Sequence, residues 1–219
     1  MKLNEVVNKE VLTQEEIEQE MREAEEQGRM VDFSNKVIKS FFVLKDKIKH
    51  GITFENTVID GQFFLGEIMI EGDLILKDTK VKGSVYLAKI KVKGSLDIEG
   101  LISAGAINLV GAEIGKDVLA QRIKSKGFLS LAKTSVGGNI ILDKARIENT
   151  TTKFDQMTIR GDLILEGTKA SGSINIKNAQ IDGMLDLDEI DVGSDLILIG
   201  TVFKNLEDSD MHIKGKKIN

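Results

Sequence analysis

The sequence predicts an all-β fold, a parallel β-solenoid preceded by a single α-helix. The main observation is a repeat of 11 residues, in which apolar residues stand two, four, seven and nine places after a glycine or its equivalent. Proline is absent, which agrees with a chain made of short paired strands, because proline removes a donor from a β-ladder. A fixed period of this kind is typical of stacked repeat architectures. The first glycines in register are Gly61, Gly72, Gly83, Gly94 and Gly105.

An acidic capping helix is expected within residues 1–28, ahead of the repeat. Thr13 and Glu16 have the spacing of a capping box, and Gly28 is suited to end the helix. Residues 15–26 contain seven glutamates and one arginine, a local charge of −6. We expect the helix to cover the open apolar end of the first coil; an arm that reaches a partner is the alternative. Its apolar stripe would consist of Ile17, Met21 and Ala24.

Residues 29–219 would form the solenoid, with about 16–17 units of 11 residues. Two apolar residues separated by one position define a short strand whose two side chains point inward. Each unit then holds two strands, and two units complete a four-sided coil of about 22 residues, with a three-sided coil of about 33 residues as the competing geometry. The repeat glycines are interpreted as turn residues that adopt an unusual φ. Near the C-terminus the register predicts a four-residue insertion at 205–208.

Several segments share one pattern: GRMVDFSNKVI, IDGQFFL, EGDLILKDTKV, GSLDI and VGGNIILDKARI. Over residues 28–203 this pattern resembles that of the prokaryotic pentapeptide-like solenoid proteins, whose repeats read G-G-D-L-x-L-x-x-A-x-I. The resemblance implies a right-handed β-helix and supplies no catalytic residues. A more distant similarity is to the bactofilins, which are bacterial β-helical polymers.

Stacking of the coils would align equivalent outward residues into rows along the rod. One face would carry three aromatic residues near the N-terminal end, Phe42, Phe64 and Tyr86. The opposite face would carry an apolar strip of Leu119, Ile141 and Ile164. Contiguous exposed apolar residues usually mark interfaces, so both rows are candidate contact surfaces. Alternatively, the helix covers them, or stacking along each row is their whole role.

A row of mostly cationic residues is expected on a further face, where Ile102 interrupts the cations. It would consist of Lys80, Lys124, Arg146 and Lys169. Such a row could attract phosphates or an acidic partner, and the acidic helix of the same or a neighbouring chain is one candidate. A solvated face is the alternative. Nucleic acid is not favoured as a partner, because residues 27–219 carry a net charge of only +1 and lack a patch that is both aromatic and basic.

Catalysis finds little support in the residue types. The chain has no cysteine, and His50 and His212 would lie about seven coils apart, so no catalytic, cofactor or metal site is predicted. No small-molecule substrate is indicated. No segment approaches the roughly 20 apolar residues of a membrane span, and the N-terminus lacks the pattern of a signal peptide. A cytoplasmic location is therefore expected.

We expect a non-enzymatic scaffold for protein–protein contacts, including self-association into a homo-oligomer. One alternative is a polymer-forming cytoskeletal element of bactofilin type. It would stack its end coils through a bare C-terminal coil that contains Ile213 and Ile218. The other alternative is a ligand-binding or enzymatic solenoid with a site near Phe42, Phe64 and Tyr86.

Overall fold

The structure, a computed structural model, describes residues 9–42, 46–149 and 151–219, and leaves the side chain of Phe42 outside that description. It is a right-handed parallel β-solenoid with four sheets, one along each side of the rod. Equivalent strands recur about every 22 residues, for example Leu74, Leu96 and Val118. The predicted four-sided fold is therefore confirmed, and the three-sided coil is wrong.

One α-helix, α1, spans Gln14–Gln27 in the described part of the chain. The predicted capping box is present: the Thr13 hydroxyl accepts from the Glu16 N–H, and the Glu16 carboxylate accepts from the Thr13 N–H at 2.7 Å. Gly28 ends the helix at φ 65°, and its N–H donates to carbonyls of the last turn. The buried residues of α1 are the predicted stripe, Ile17, Met21 and Ala24.

The chain visits four faces in turn, numbered 1 to 4, and coils 1 to 9 are counted from the successive strands of face 1. Face 1 comprises β1 Val31–Asp32, β5 Ile52–Thr53, β9 Leu74–Ile75, β13 Leu96–Asp97, β17 Val118–Leu119, β21 Ile140–Ile141, β25 Leu163–Ile164, β29 Met184–Asp186 and β32 Asn205–Glu207. Face 2 comprises β2 Val37–Ile38, β6 Val58–Ile59, β10 Lys80–Val81, β14 Ile102–Ser103, β18 Lys124–Ser125, β22 Arg146–Ile147, β26 Lys169–Ala170, β30 Asp191–Val192 and β33 His212–Ile213.

The other two sides are built in the same way. Face 3 comprises β3 Phe41–Phe42, β7 Phe63–Phe64, β11 Val85–Tyr86, β15 Ile107–Asn108, β19 Leu129–Ser130, β23 Thr151–Lys153, β27 Ser173–Asn175, β31 Leu196–Ile197 and β34 Lys217–Ile218. Face 4 comprises β4 Lys47–Ile48, β8 Met69–Ile70, β12 Lys91–Val92, β16 Glu113–Ile114, β20 Ser135–Val136, β24 Thr158–Ile159 and β28 Gln180–Ile181.

The repeat glycines are required by close packing between coils rather than by turns. Gly61, Gly72 and Gly83 do not have positive φ, so the turn interpretation is wrong for them. A Cβ at Gly72 would lie 2.7 Å from the His50 carbonyl oxygen of the preceding coil, closer than a side chain allows. Positive φ occurs instead at the corners that follow faces 1 and 3, as at Asp78 with φ 53°.

Buried threonines tie successive coils together through their hydroxyl groups. The Thr57 hydroxyl donates to the Phe33 carbonyl at 2.6 Å, and the Thr79 hydroxyl donates to the Phe54 carbonyl at 2.6 Å. The Phe54 carbonyl also accepts the Thr57 N–H, whereas the described residues offer no other donor to the Phe33 carbonyl. The two threonines therefore differ in what their loss would leave unpaired.

Thr57→Val is expected to lower the free energy of unfolding by about 1–2 kcal/mol, because it leaves the Phe33 carbonyl buried without a donor. Thr79→Val is the matched control and should cost less, since the carbonyl it faces keeps a backbone partner. Urea denaturation of both variants measures the difference. Equal losses of unfolding free energy would mean that a second donor to the carbonyl does not reduce the cost of losing the threonine hydrogen bond.

Candidate interaction surfaces

The N-terminal end of the rod is closed by the chain that precedes β1. α1 packs on β1, with its buried stripe in the same hydrophobic cluster as Val31. The Leu12 N–H donates to the Val37 carbonyl at 2.9 Å, so residues before the helix extend face 2. The chain before β1 therefore covers the first strands of faces 1 and 2 at this end.

The acidic helix makes its ion pairs close to that end. Glu20 pairs with Arg29, whose guanidinium lowers the pKa of the Glu20 carboxyl, and Glu25 lies 2.8 Å from the Lys49 Nζ. The helix is thus several coils away from Lys124, which lies in coil 5. The expectation that it docks on the basic row of its own chain is wrong.

The aromatic row on face 3 is short. Phe64 is 49% exposed, Tyr86 is half-buried, and their ring centroids lie 6.1 Å apart at an interplanar angle of 44°. Strand register places Phe42 next to Phe64, but its side chain lies outside the described residues. Beyond Tyr86 the row is polar from Asn108 to Asn175 and ends in Ile197 and Ile218.

The apolar row on face 1 has the predicted register. Leu119 is the register partner of Ile141, and Ile141 is the partner of Ile164. Each of the three side chains is half-buried, less exposed than the sequence suggested. Carboxylates flank the row on both sides; on one side they belong to Asp117 and Asp162, and on the other to Asp143 and Glu166. In coils 5 to 7 face 1 therefore presents an apolar centre whose four flanking carboxylates form an acidic rim, with the exposed Lys116, Arg122 and Lys144 one residue further from the strands.

The basic row on face 2 also has the predicted register. Strand pairing joins Lys80 to Ile102, Ile102 to Lys124, Lys124 to Arg146 and Arg146 to Lys169. Lys124, Arg146 and Lys169 are exposed, and the Lys169 Nζ lies 3.7 Å from the Asp191 carboxylate. Lys126, two residues after Lys124, is exposed at the edge of the same face.

Charges on face 4 are compensated within the chain. The Glu71 carboxylate lies 2.6 Å from the Lys93 Nζ and 2.9 Å from the Lys47 Nζ, and these hydrogen bonds lower the pKa of Glu71 to about 2. Lys91 pairs with Glu113 at 2.9 Å in the neighbouring strand. Face 4 therefore places cations next to anions in these coils, whereas the adjacent Lys124 and Arg146 of face 2 have no ion-pair partner among the described residues.

The C-terminal coil differs from its prediction. Leu206 is the register partner of Leu185, so this coil is one residue shorter than the 22-residue step from Leu163 to Leu185. The predicted insertion at 205–208 is wrong, because Asn205–Glu207 is itself strand β32 of face 1.

The shorter coil changes which residues point toward the core at this end. Ile213 pairs with Val192 and packs on the core, as predicted, but Ile218 pairs with Ile197 on the outward row of face 3. Lys217 stands over the buried Leu196 instead, and its Nζ lies 2.7 Å from the Asp208 carboxylate. The expected bare apolar slice is therefore interrupted by an ion pair.

Register also brings together three carboxylates that the sequence did not connect. Asp186, Asp188 and Glu207 each offer an oxygen atom, and these atoms lie within 4.8 Å of one another, a spacing that suits a hard cation. Backbone N–H groups already donate to two of the carboxylates, from Asp188 to Asp186 at 2.9 Å and from Ser209 to Asp188 at 2.7 Å. Glu207 was missed because the expected insertion removed it from the row.

Comparisons with protein-family models, with curated proteins and with solved structures found no match to this chain. No helix in the described residues is long and apolar enough to cross a membrane.

Proposed function

We propose that this chain is a non-enzymatic scaffold that binds protein chains, including copies of itself, through the long sides of its rod. The observation that carries the proposal is the separation of surface character in coils 5 to 7. An apolar row with an acidic rim lies on face 1, and an exposed basic row lies on the adjoining face 2. Interfaces commonly combine an apolar centre with a polar rim, which is the arrangement of face 1.

The polymer alternative is less well supported, because both ends of the rod carry features that oppose stacking. The helix and the segment before it cover faces 1 and 2 of the first coil, and the Asp208–Lys217 pair puts charge where an added coil would need apolar contact. Exposed ion pairs add little stability by themselves. Burying this pair beneath another coil would cost its hydration, so growth from the C-terminal end is disfavoured.

The ligand alternative would use the aromatic pair on face 3. Phe64 is the most exposed of the described aromatic residues, and Tyr86 lies beside it, but the two rings lie on an open face. Small-molecule sites are normally concave and bury most of the ligand. A side-on contact with another chain fits this geometry better.

The scaffold proposal is tested by replacing the central residue of the apolar row. We expect Ile141→Asp to abolish association, whether with a second copy or with another protein, while the fold is kept. The control is Ile75→Asp, a half-buried residue of the same outward row in coil 3. Light scattering over a concentration series and retention of proteins on the immobilised chain provide the readouts.

The wild-type chain should exceed its monomer mass of 24.1 kDa or retain a partner, and Ile141→Asp should do neither. A wild-type chain that stays monomeric and retains nothing would overturn the proposal. The proposal would also be overturned if Ile141→Asp and Ile75→Asp reduced the retention of a partner equally.

A further inference from the structure

Three cations in the middle of face 2 form no ion pair within the described residues, although the exposed Glu148 stands in register with Lys126 at the edge of the face. Lys124 and Arg146 are register partners on adjacent strands, and within the described residues neither of them, nor Lys126, forms an ion pair. Like charges on directly adjacent strands repel each other. Face 4 shows the other arrangement, in which Lys91 stands beside Glu113. A carboxylate from outside the chain would relieve the repulsion on face 2.

The carboxylates in the middle of face 1 present the complementary surface. Asp117 and Asp162 are held in place because each accepts a backbone N–H from the next coil, at 2.8 Å and 2.7 Å. On the other side of the apolar row, Asp143 lies 3.3 Å from the Lys144 Nζ, and Glu166 forms no ion pair within the described residues. The carboxylates on the first side of the row thus lie in the coils next to that of Ile141, whose own neighbour there is Asn139, and Lys144 partly neutralises the second side.

The two surfaces match in position as well as in sign. Both occupy coils 5 to 7, and each contributes one row residue per coil, so both rows advance by the same strand spacing of about 4.8 Å. Two rods that lie side by side, parallel and in register, would bring each cation next to the rim of the facing coil. The aliphatic stems of the lysines can lie on the apolar row while their ammonium groups reach the carboxylates.

We propose that face 2 of one copy of this chain binds face 1 of a second copy through coils 5 to 7. This inference rests on the proposed scaffold function and names the partner of the same surface. The contacting groups are Lys124, Arg146 and Lys169 on one copy and the acidic rim around Leu119, Ile141 and Ile164 on the other. Because the two faces differ, the contact is heterologous, and a bound copy still presents its second face.

Charge reversal on each face, followed by mixing, tests the proposal. The first variant, Lys124→Glu with Arg146→Glu, makes face 2 acidic; the second, Asp143→Lys with Glu166→Lys, makes face 1 basic. Each variant alone sets like charges against each other and should weaken self-association by at least about tenfold. An equimolar mixture of the two variants should regain association. In the mixture, face 2 of each variant can meet a face 1 of opposite charge on the other variant.

The control is Lys133→Glu with Lys177→Glu, which reverses two exposed lysines at the corner between faces 3 and 4. It makes the same change of net charge as the first variant and should associate like the wild type. Sedimentation equilibrium gives the masses, and circular dichroism checks that each variant is folded. Recovery on mixing also argues against misfolding, since a misfolded chain would not be rescued.

Wild-type association should weaken as salt is raised, because the contact is between exposed charges. The inference is overturned if the mixture stays monomeric or if the corner control loses association as the first variant does. A wild-type chain that is monomeric at every concentration also overturns it. If that monomer still retains another protein, and Ile141→Asp abolishes the retention, the scaffold proposal stands. Only the inference that the partner is a second copy of this chain is then overturned.

Discussion

Phe54→Ala is expected to lower the free energy of unfolding by about 3–5 kcal/mol. The Phe54 side chain is fully buried, and its ring centroid lies 4.6 Å from that of Phe41, 4.9 Å from that of Phe63 and 5.4 Å from that of Phe33. Removing the ring leaves a cavity among three other rings near the N-terminal end. Backbone pairing with the coils on both sides restricts how far the walls can collapse.

The matched control for this change is Phe64→Ala. Phe64 is a phenylalanine of the same coil, but its side chain is 49% exposed on face 3. We expect its replacement to cost less than about 1 kcal/mol, because about half of the ring stays in water in the folded state and its loss leaves no buried cavity. Urea denaturation of the two variants gives both values. A Phe64→Ala loss as large as that of Phe54→Ala would show that the aromatic row on face 3 stabilises the fold rather than serving as a contact surface.

Asp208→Leu combined with Lys217→Leu is expected to make the rods associate end to end. Both residues stand at positions that point toward the core, and their ion pair lies over its last layer. Two leucines there would continue the apolar core to the open end, beside the half-buried Met211 and Ile213. Burial of each leucine beneath another coil would favour stacking by about 1.5–3 kcal/mol.

The assembly of this variant is measured by light scattering and electron microscopy at high salt, where contacts between exposed charges are screened. The control is Lys204→Leu with Glu207→Leu, which removes the same pair of charge types near the same end at exposed positions. We expect the control to behave like the wild type. The Asp208→Leu with Lys217→Leu variant should associate at a protein concentration at least about tenfold lower. No difference between the two variants would mean that the ion pair does not limit growth at this end.

The repeat predicted the part of the structure that depends on local rules. Alternation of inward and outward residues in strands, and a constant number of residues per coil, are enough to place Leu119 beside Ile141 and Lys124 beside Arg146. The capping box at Thr13 was equally readable, because it involves neighbours within one turn of helix. Proline-free, evenly spaced apolar pairs left little freedom for any other fold class.

The errors arose where the answer depends on contacts between coils. The glycines appeared to be turn residues, but Gly72 is required because the His50 carbonyl of the preceding coil passes too close for a side chain. The last coil appeared to contain an insertion, because hydrophobicity is a weak guide once the core ends and polar residues occupy inward positions. The actual register places Lys217, rather than Ile218, over Leu196.

The sequence by itself thus determined the period and the helix, and it favoured the four-sided coil on which the residues that share each row depend. These follow from covalent geometry and from the burial of apolar side chains, which act within a few residues of each position. Only the tertiary structure decided how exposed each row is, where the acidic helix lies and that an ion pair crosses the C-terminal end. Those features depend on atoms that are a full coil or more apart along the chain, and a linear pattern does not contain their distances.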